Sequence, residues 1–281
     1  MWCMAVTTPK ARRLGAALKE ARVERGVGLR QLAEKLGKDH STISRYESGQ
    51  RIPKLEEVAH ILGVLQVNAD QRDDILDLAR GADSPRWLAV SLPDQRQQLA
   101  ALLELERTAS TIIDVSPLLV NGLLQTTPYI RAIMSGGGVS PTEIELRVAT
   151  RVGRREVLRD MSIKLMAVLG EAALRQQVGG AEVMADQLRH LVDVAELPNV
   201  DLRVIPFGVG WHPALEGPFT LIDSSQVPSA VHLENRRSGL WLHEPEDIES
   251  YREAARVLMD EALGAKESVG LIAALAHEME T

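Results

Sequence analysis

His40, Ser41, Ser44 and Arg45 place an imidazole, two hydroxyls and a guanidinium within six residues. Helical periodicity puts Ile43 and Tyr46 on the apolar side of this segment, and burying them turns the other four outward. Hydrogen-bonding side chains at the N-terminal part of a short exposed helix suit base edges in the major groove of a duplex. Other chemistry is thinly represented. His232-Leu233-Glu234 has the spacing of a deaminase His-x-Glu, but the Pro-Cys-x-x-Cys that would complete a zinc site is missing, because Cys3 is the only cysteine. His212, His232, Glu234 and His243 are candidates for a metal site or for ordinary polar positions on strands and loops. No phosphate-binding glycine loop, nucleophile elbow or His-Glu-x-x-His occurs. The expectation is therefore no catalytic residues, no metal and no cofactor.

The row from His40 to Arg45 needs a compact helical frame. Leu14, Leu18 and Ala21 repeat on one helix face, and Gly26 and Gly28 break that helix. Leu29, Leu32, Ala33 and Leu36 mark a second short helix ended by Gly37. Asp39 is expected to cap a third helix over 40–47 through its carboxylate, with Gly49 just past its end. Pro53 is expected to open a fourth helix carrying Leu55, Val58, Ala59 and Leu62, and a fifth follows at 70–80. Residues 10–80 thus form an N-terminal domain and 81–86 a turn-rich linker. Residues 87–281 form an α+β or, as the alternative, an α/β domain, the first giving a multidomain α and α+β chain: five helices, then a larger mixed domain. In that second part 92–113, 141–159, 181–195 and 246–278 are read as helix, with a loop-rich stretch between the first two. Residues 163–169, 200–206, 218–223, 230–234 and 239–243 are read as strand.

Charge supports this division. The net charge is −7 over 281 residues. Residues 1–54 hold 12 Lys+Arg and 5 Asp+Glu, a balance of +7, and the rest hold 20 and 34, a balance of −14. A basic head on an acidic body suits a polyanion partner. With 45% hydrophobic and 25% charged residues, the chain is neither disordered nor collagen-like. One cysteine excludes an internal disulfide framework. No run of about 18 apolar residues and no signal peptide are found, so a cytoplasmic, nucleoid-associated protein without a membrane is expected.

Gln31-Leu32-Ala33-Glu34-Lys35-Leu36-Gly37 and Ser41-Thr42-Ile43-Ser44-Arg45-Tyr46-Glu47-Ser48-Gly49 resemble the helix-turn-helix of lambda-repressor-like regulators of the xenobiotic-response-element type, over residues 14–65. Gly28 departs from the usual Ser or Thr cap, and Leu29 from a polar phosphate neighbour. The resemblance implies that His40, Ser41, Ser44 and Arg45 face bases, that Arg30, Thr42, Gln50, Arg51 and Lys54 lie near phosphates, and that Arg22 and Glu47 clamp the first helix to the third. One such module touches few bases, so a homodimer on a two-fold symmetric site in double-stranded DNA is expected.

Residues 104–131, with Arg151, Glu171-Ala172-Ala173-Leu174-Arg175, Gly179-Gly180, Gln187-Leu188 and Val204-Ile205-Pro206-Phe207, resemble the C-terminal domain of unknown function of actinobacterial antitoxin-like transcriptional regulators. That resemblance spans 88–275 and implies a small neighbour-encoded protein as partner; a small-molecule effector is the other partner expected of this domain. Asn121 replaces the usual Pro, and Arg155 the usual Gln. Asn121, Gly122, Leu123, Leu124, Gln125 and Thr126 are either a structural loop or a partner loop. Trp211, His212, Phe219 and Trp241 either line a ligand pocket or form the aromatic core of a small sheet. The leading expectation is a DNA-binding transcriptional regulator controlled through its second domain. An antitoxin-like interaction protein that autoregulates its operon is the alternative, and an enzyme with a DNA-targeting module is a third reading that no motif supports.

Overall fold

The structure is a computed structural model that describes residues 8–84, 86–89, 91–236 and 238–280. Cys3, and Pro85 of the expected linker, lie outside the described residues. The chain divides into two compact units. The first joins Met1–Leu105 to Gln226–Pro245, and the second joins Glu106–Ser225 to Glu246–Thr281. The sequence set its only boundary at 81–86. In the fold Arg86 instead starts a strand, and the segment 226–245 returns to complete the first unit.

The first unit opens with five helices: α1 (Pro9–Glu24), α2 (Leu29–Lys35), α3 (His40–Glu47), α4 (Leu55–Val64) and α5 (Ala69–Ala79). Leu14, Leu18 and Ala21 of α1, Leu32 and Ala33 of α2, Ile43 and Tyr46 of α3, and Val58, Ile61 and Leu62 of α4 are all buried, so one helical period per element supplies the core. Thr8 caps α1, its hydroxyl accepting from the Ala11 amide at 2.9 Å. Lys54, not Pro53, stands at the N-cap of α4; Pro53 is buried one residue before it. Asp39 does hold the N-cap position of α3, but its side chain makes no capping bond. The unit continues with strand β1 (Arg86–Ala89) and helix α6 (Leu92–Arg107), whose last two residues fall in the second unit. β1 pairs antiparallel with β7 (Ser238–Leu242), which pairs antiparallel with β6 (Ala230–Asn235).

In the second unit β2 (Thr111–Ser116), β3 (Lys164–Gly170) and β4 (Val200–Ile205) run parallel, with β5 (Phe219–Asp223) antiparallel on the other side of β2. Helices α7 (Thr127–Gly136) and α8 (Pro141–Arg154), then a 3-10 helix Arg155–Arg159, connect β2 to β3. Helices α9 (Glu171–Arg175) and α10 (Ala181–Val194) connect β3 to β4. Parallel strands need such crossovers. A short 3-10 helix Pro213–Glu216 precedes β5, and α11 (Pro245–Glu261) and α12 (Ala265–Glu280) close the chain. The sequence predicts one helix over 92–113 and loop from there to 140. The structure stops α6 at Arg107, makes 111–116 a strand and adds α7. Ile112, Ile113 and Val115 are buried together, so β2 lacks the alternation that marks a strand with one wet face.

Candidate nucleic-acid interface

Helix α3 is fixed from below. Ile43 and Tyr46 are each about 1% exposed, and His40, Ser41, Ser44 and Arg45 are all exposed on the opposite side. Arg45 folds along its own helix, Nε donating to the Ser41 carbonyl at 3.2 Å. Of the residues assigned to phosphates, Arg30, Gln50, Arg51 and Lys54 are exposed and Thr42 is half-buried. The Arg51 guanidinium lies 5.7 Å from the centre of the Tyr46 ring, within cation–π range.

Arg22 and Glu47 meet in a two-pronged ion pair. Nε and Nη2 of Arg22 donate to Oε1 and Oε2 of Glu47 at 2.5 and 2.8 Å, and Nη1 donates to the Val27 carbonyl at 2.9 Å. The side chains are only 11% and 6% exposed, so water screens the pair little. The hydrogen bonds to Glu47 push the Arg22 pKa above its usual value. One side chain thus ties α1 both to α3 and to the turn before α2. Backbones also touch here. A Cβ on Gly15 would lie 2.5 Å from the Tyr46 carbonyl oxygen and 2.7 Å from that of Glu47. Gly49, at φ +70°, ends α3 in the left-handed region where α1 passes close by, a Cβ there lying 2.8 Å from the Arg12 Cα.

Sequence reasoning missed a third anchor, Glu57. Its carboxylate accepts from Lys38 Nζ at 2.6 Å, from the Tyr46 hydroxyl at 3.0 Å and from the Lys54 amide at 3.0 Å. Lys38 precedes α3 and Lys54 precedes α4, so one carboxylate joins both ends of the 39–54 segment. The Lys38 and Lys54 hydrogen bonds hold the Glu57 pKa down to about 2, and burial pushes the Tyr46 hydroxyl up. The signal in the sequence is Glu at the third helical position, the spacing of a capping box. Arg12 was missed too. It is 7% exposed, its Nε and Nη2 have no hydrogen-bond partner among the described residues, and burial lowers its pKa to about 10.

The second unit's motif 121–126 turns inward. Asn121 Oδ1 accepts from the Leu123 amide at 2.5 Å, Gln125 Nε2 donates to the Val120 carbonyl at 2.7 Å, and Arg151 Nη1 donates to Gln125 Oε1 at 2.8 Å. Gln187 of α10 accepts from the Thr126 amide and donates to the Leu124 carbonyl, at 2.7 and 2.8 Å. Thr126 caps α7, and half-buried Gly122 leaves room for Arg154, which pairs with buried Glu106 at 2.6 Å. Beneath the loop, Asp114 accepts from Ser116 at 2.5 Å and Thr220 at 2.8 Å, and burial pushes its carboxyl pKa up. Asn121, Leu123, Leu124 and Gln125 of this loop are buried. Leu118 and Leu119, just before it, are exposed.

The four aromatic-pocket candidates separate. Trp211 is 72% exposed. His212 is buried with Nδ1 unpartnered. Phe219 packs edge-on against Tyr251 at 5.0 Å, whereas Trp241, in the other unit, is fully buried against His232 at 4.5 Å. They do not line one pocket within either unit. Among the described residues no group of three or more His, Cys, Asp or Glu could hold a metal ion, and no helix is long and apolar enough to cross a membrane.

Two family models match the chain. One, described as a helix-turn-helix domain, covers residues 13–75. The other, described as a domain of unknown function (DUF5753), covers residues 99–274. A comparison with curated proteins found no match. The helix-turn-helix match supports a DNA-binding regulator.

Proposed function

Because the chain belongs to the DUF5753 family, whose model spans more than half of its residues, and sets a helix-turn-helix in front of that domain, we propose a sequence-specific transcriptional regulator that reads the major groove with α3. The exposed row His40, Ser41, Ser44 and Arg45 carries this reading, because it is aimed outward by three separate anchors: the buried Ile43–Tyr46 side, the Arg22–Glu47 pair and Glu57. A helix about 10–12 Å across matches a groove about 12 Å wide. Arg45 leaves the Ser41 carbonyl to pair with a guanine edge, and Arg30, Gln50, Arg51 and Lys54 meet phosphates on either side. Two copies bind half-sites about 34 Å apart, or a multiple of that. The second unit takes the signal and has no catalytic role.

The test is selection of bound duplexes from a random library, followed by titration of the winner. Arg45→Ala should lose ~1–3 kcal/mol and relax preference at one base position. Lys54→Ala should weaken all sequences alike and lower the log–log salt slope by about 0.9 per copy. A salt-independent affinity, or a selection that returns no preferred sequence, refutes the reading.

A further inference from the structure

We infer that the second unit carries a self-association face built from loops 117–126 and 206–218, and that its occupant is a second copy of this chain. This rests on the two-copy reading above and names the surface that it requires. The two loops lie together by topology. The strand order is β5-β2-β3-β4, so the chain leaving β4 at Ile205 must cross the ends of β3 and β2 to enter β5 at Phe219, which stands opposite Val115. At those ends Gly170 and the Pro117 carbonyl are so close that a Cβ on the glycine would overlap it. The Phe207 amide donates to Glu171 Oε2 at 2.7 Å, fixing the start of the crossing.

Along this edge the protein exposes Leu118, Leu119, Phe207, Trp211 and Leu215, between 45% and 72% each. Together they present roughly 600 Å² of apolar surface, above what single scattered side chains give and near the ~800 Å² per partner of a standard interface. Charge selects the occupant. The second unit holds 14 Lys+Arg against 23 Asp+Glu, a balance of −9, so two copies repel over most of their surfaces. The two loops together hold 23 residues and one charge, Glu216. A neutral apolar face is complementary to itself across a two-fold axis, which a charged patch of one sign is not.

Sedimentation velocity of the full chain from about 1 to 50 μM tests this, with Trp211→Ser and Leu118→Asp in separate loops and Leu146→Asp, equally exposed on α8, as the control. The wild type and L146D should be dimers, and W211S and L118D should each raise the dissociation constant at least tenfold with unchanged far-ultraviolet circular dichroism. If L118D loses that spectrum, W211S on the other loop decides. A wild type that stays monomeric over this range overturns the face, as does a dimer that withstands both substitutions, since a different protein or no partner then covers the loops. Affinity for a mixed-sequence duplex is measured on the same samples. Wild-type dimers with no duplex affinity refute the regulator reading and leave the face standing. Salt-sensitive duplex binding by a wild-type monomer does the reverse.

Discussion

The Arg22–Glu47 pair allows a quantitative test of how α3 is held. An exposed pair of this kind contributes ~0–1 kcal/mol. Here both side chains are nearly closed off from water, both oxygens of Glu47 are engaged, and a third donor of Arg22 is committed to Val27. Removing one partner leaves the other charge with little solvent and nothing to neutralise it. Arg22→Met and Glu47→Leu should therefore each destabilise the first unit by ~3 kcal/mol, within the range for broken buried pairs. The joint change to Met at 22 and Leu at 47 should cost ~1 kcal/mol or less, because no charge is then stranded. Two single losses of ~3 kcal/mol against a joint cost of ~1 kcal/mol or less give a coupling of ~5 kcal/mol. Urea denaturation followed by circular dichroism gives the stabilities, and hydrogen exchange at the Ile43 and Tyr46 amides assigns the loss to α3. Single substitutions that each cost under ~1 kcal/mol would show a solvated pair, and α3 would then owe its orientation to packing alone.

Other consequences follow from the same geometry. Gly15→Ala should cost ~2–3 kcal/mol and weaken duplex binding, since the atoms nearest its methyl are backbone, at 2.5–2.8 Å, and α1 and α3 must separate; equal thermal stability would contradict that contact. Glu57 has its pKa lowered from 4.5 to about 2, so its contribution is complete above pH 4.5 and is lost as pH falls from there toward 2. Glu57→Gln should cost about 1–2 kcal/mol at pH 7 and flatten the stability profile across that window, as acid titration of unfolding would read. Gln187→Leu strands the Thr126 amide and the Leu124 carbonyl and should cost ~2–4 kcal/mol in the second unit, measured by calorimetry.

The legible parts of the sequence were those with local causes. Leu14, Leu18, Ile43 and Tyr46 repeat at helical spacing, and Gly49 marks the end of α3, so the first five helices and the outward row could be placed. β3 to β7 stand within a residue or two of the apolar runs that suggested them. β2 was hidden because Ile112, Ile113 and Val115 are buried on both faces and directly follow a helix. Asp39 has the right type and position for a capping side chain, yet Lys38 is drawn to Glu57 beside it and no capping bond forms. Glu57 itself escaped notice because its partners Lys38 and Tyr46 come from sequence positions that no local window joins. The same holds for Gln187, sixty residues from the loop it braces. Rarity misled in the aromatic set: Trp211 and Trp241 were grouped by residue type, but one stands in water and the other has no exposed surface.

The bracing of loop 117–126 bears on the kinetics of assembly. Its backbone is held by Asn121, Gln125, Gln187 and the Tyr129 hydroxyl, which accepts from the Val120 amide at 3.2 Å. Leu118 and Leu119 are thus displayed on a rigid mount whose ordering entropy is spent during folding, not at encounter. Association through that edge would need little rearrangement, so changes to its side chains should act on how long the complex lasts more than on how fast it forms.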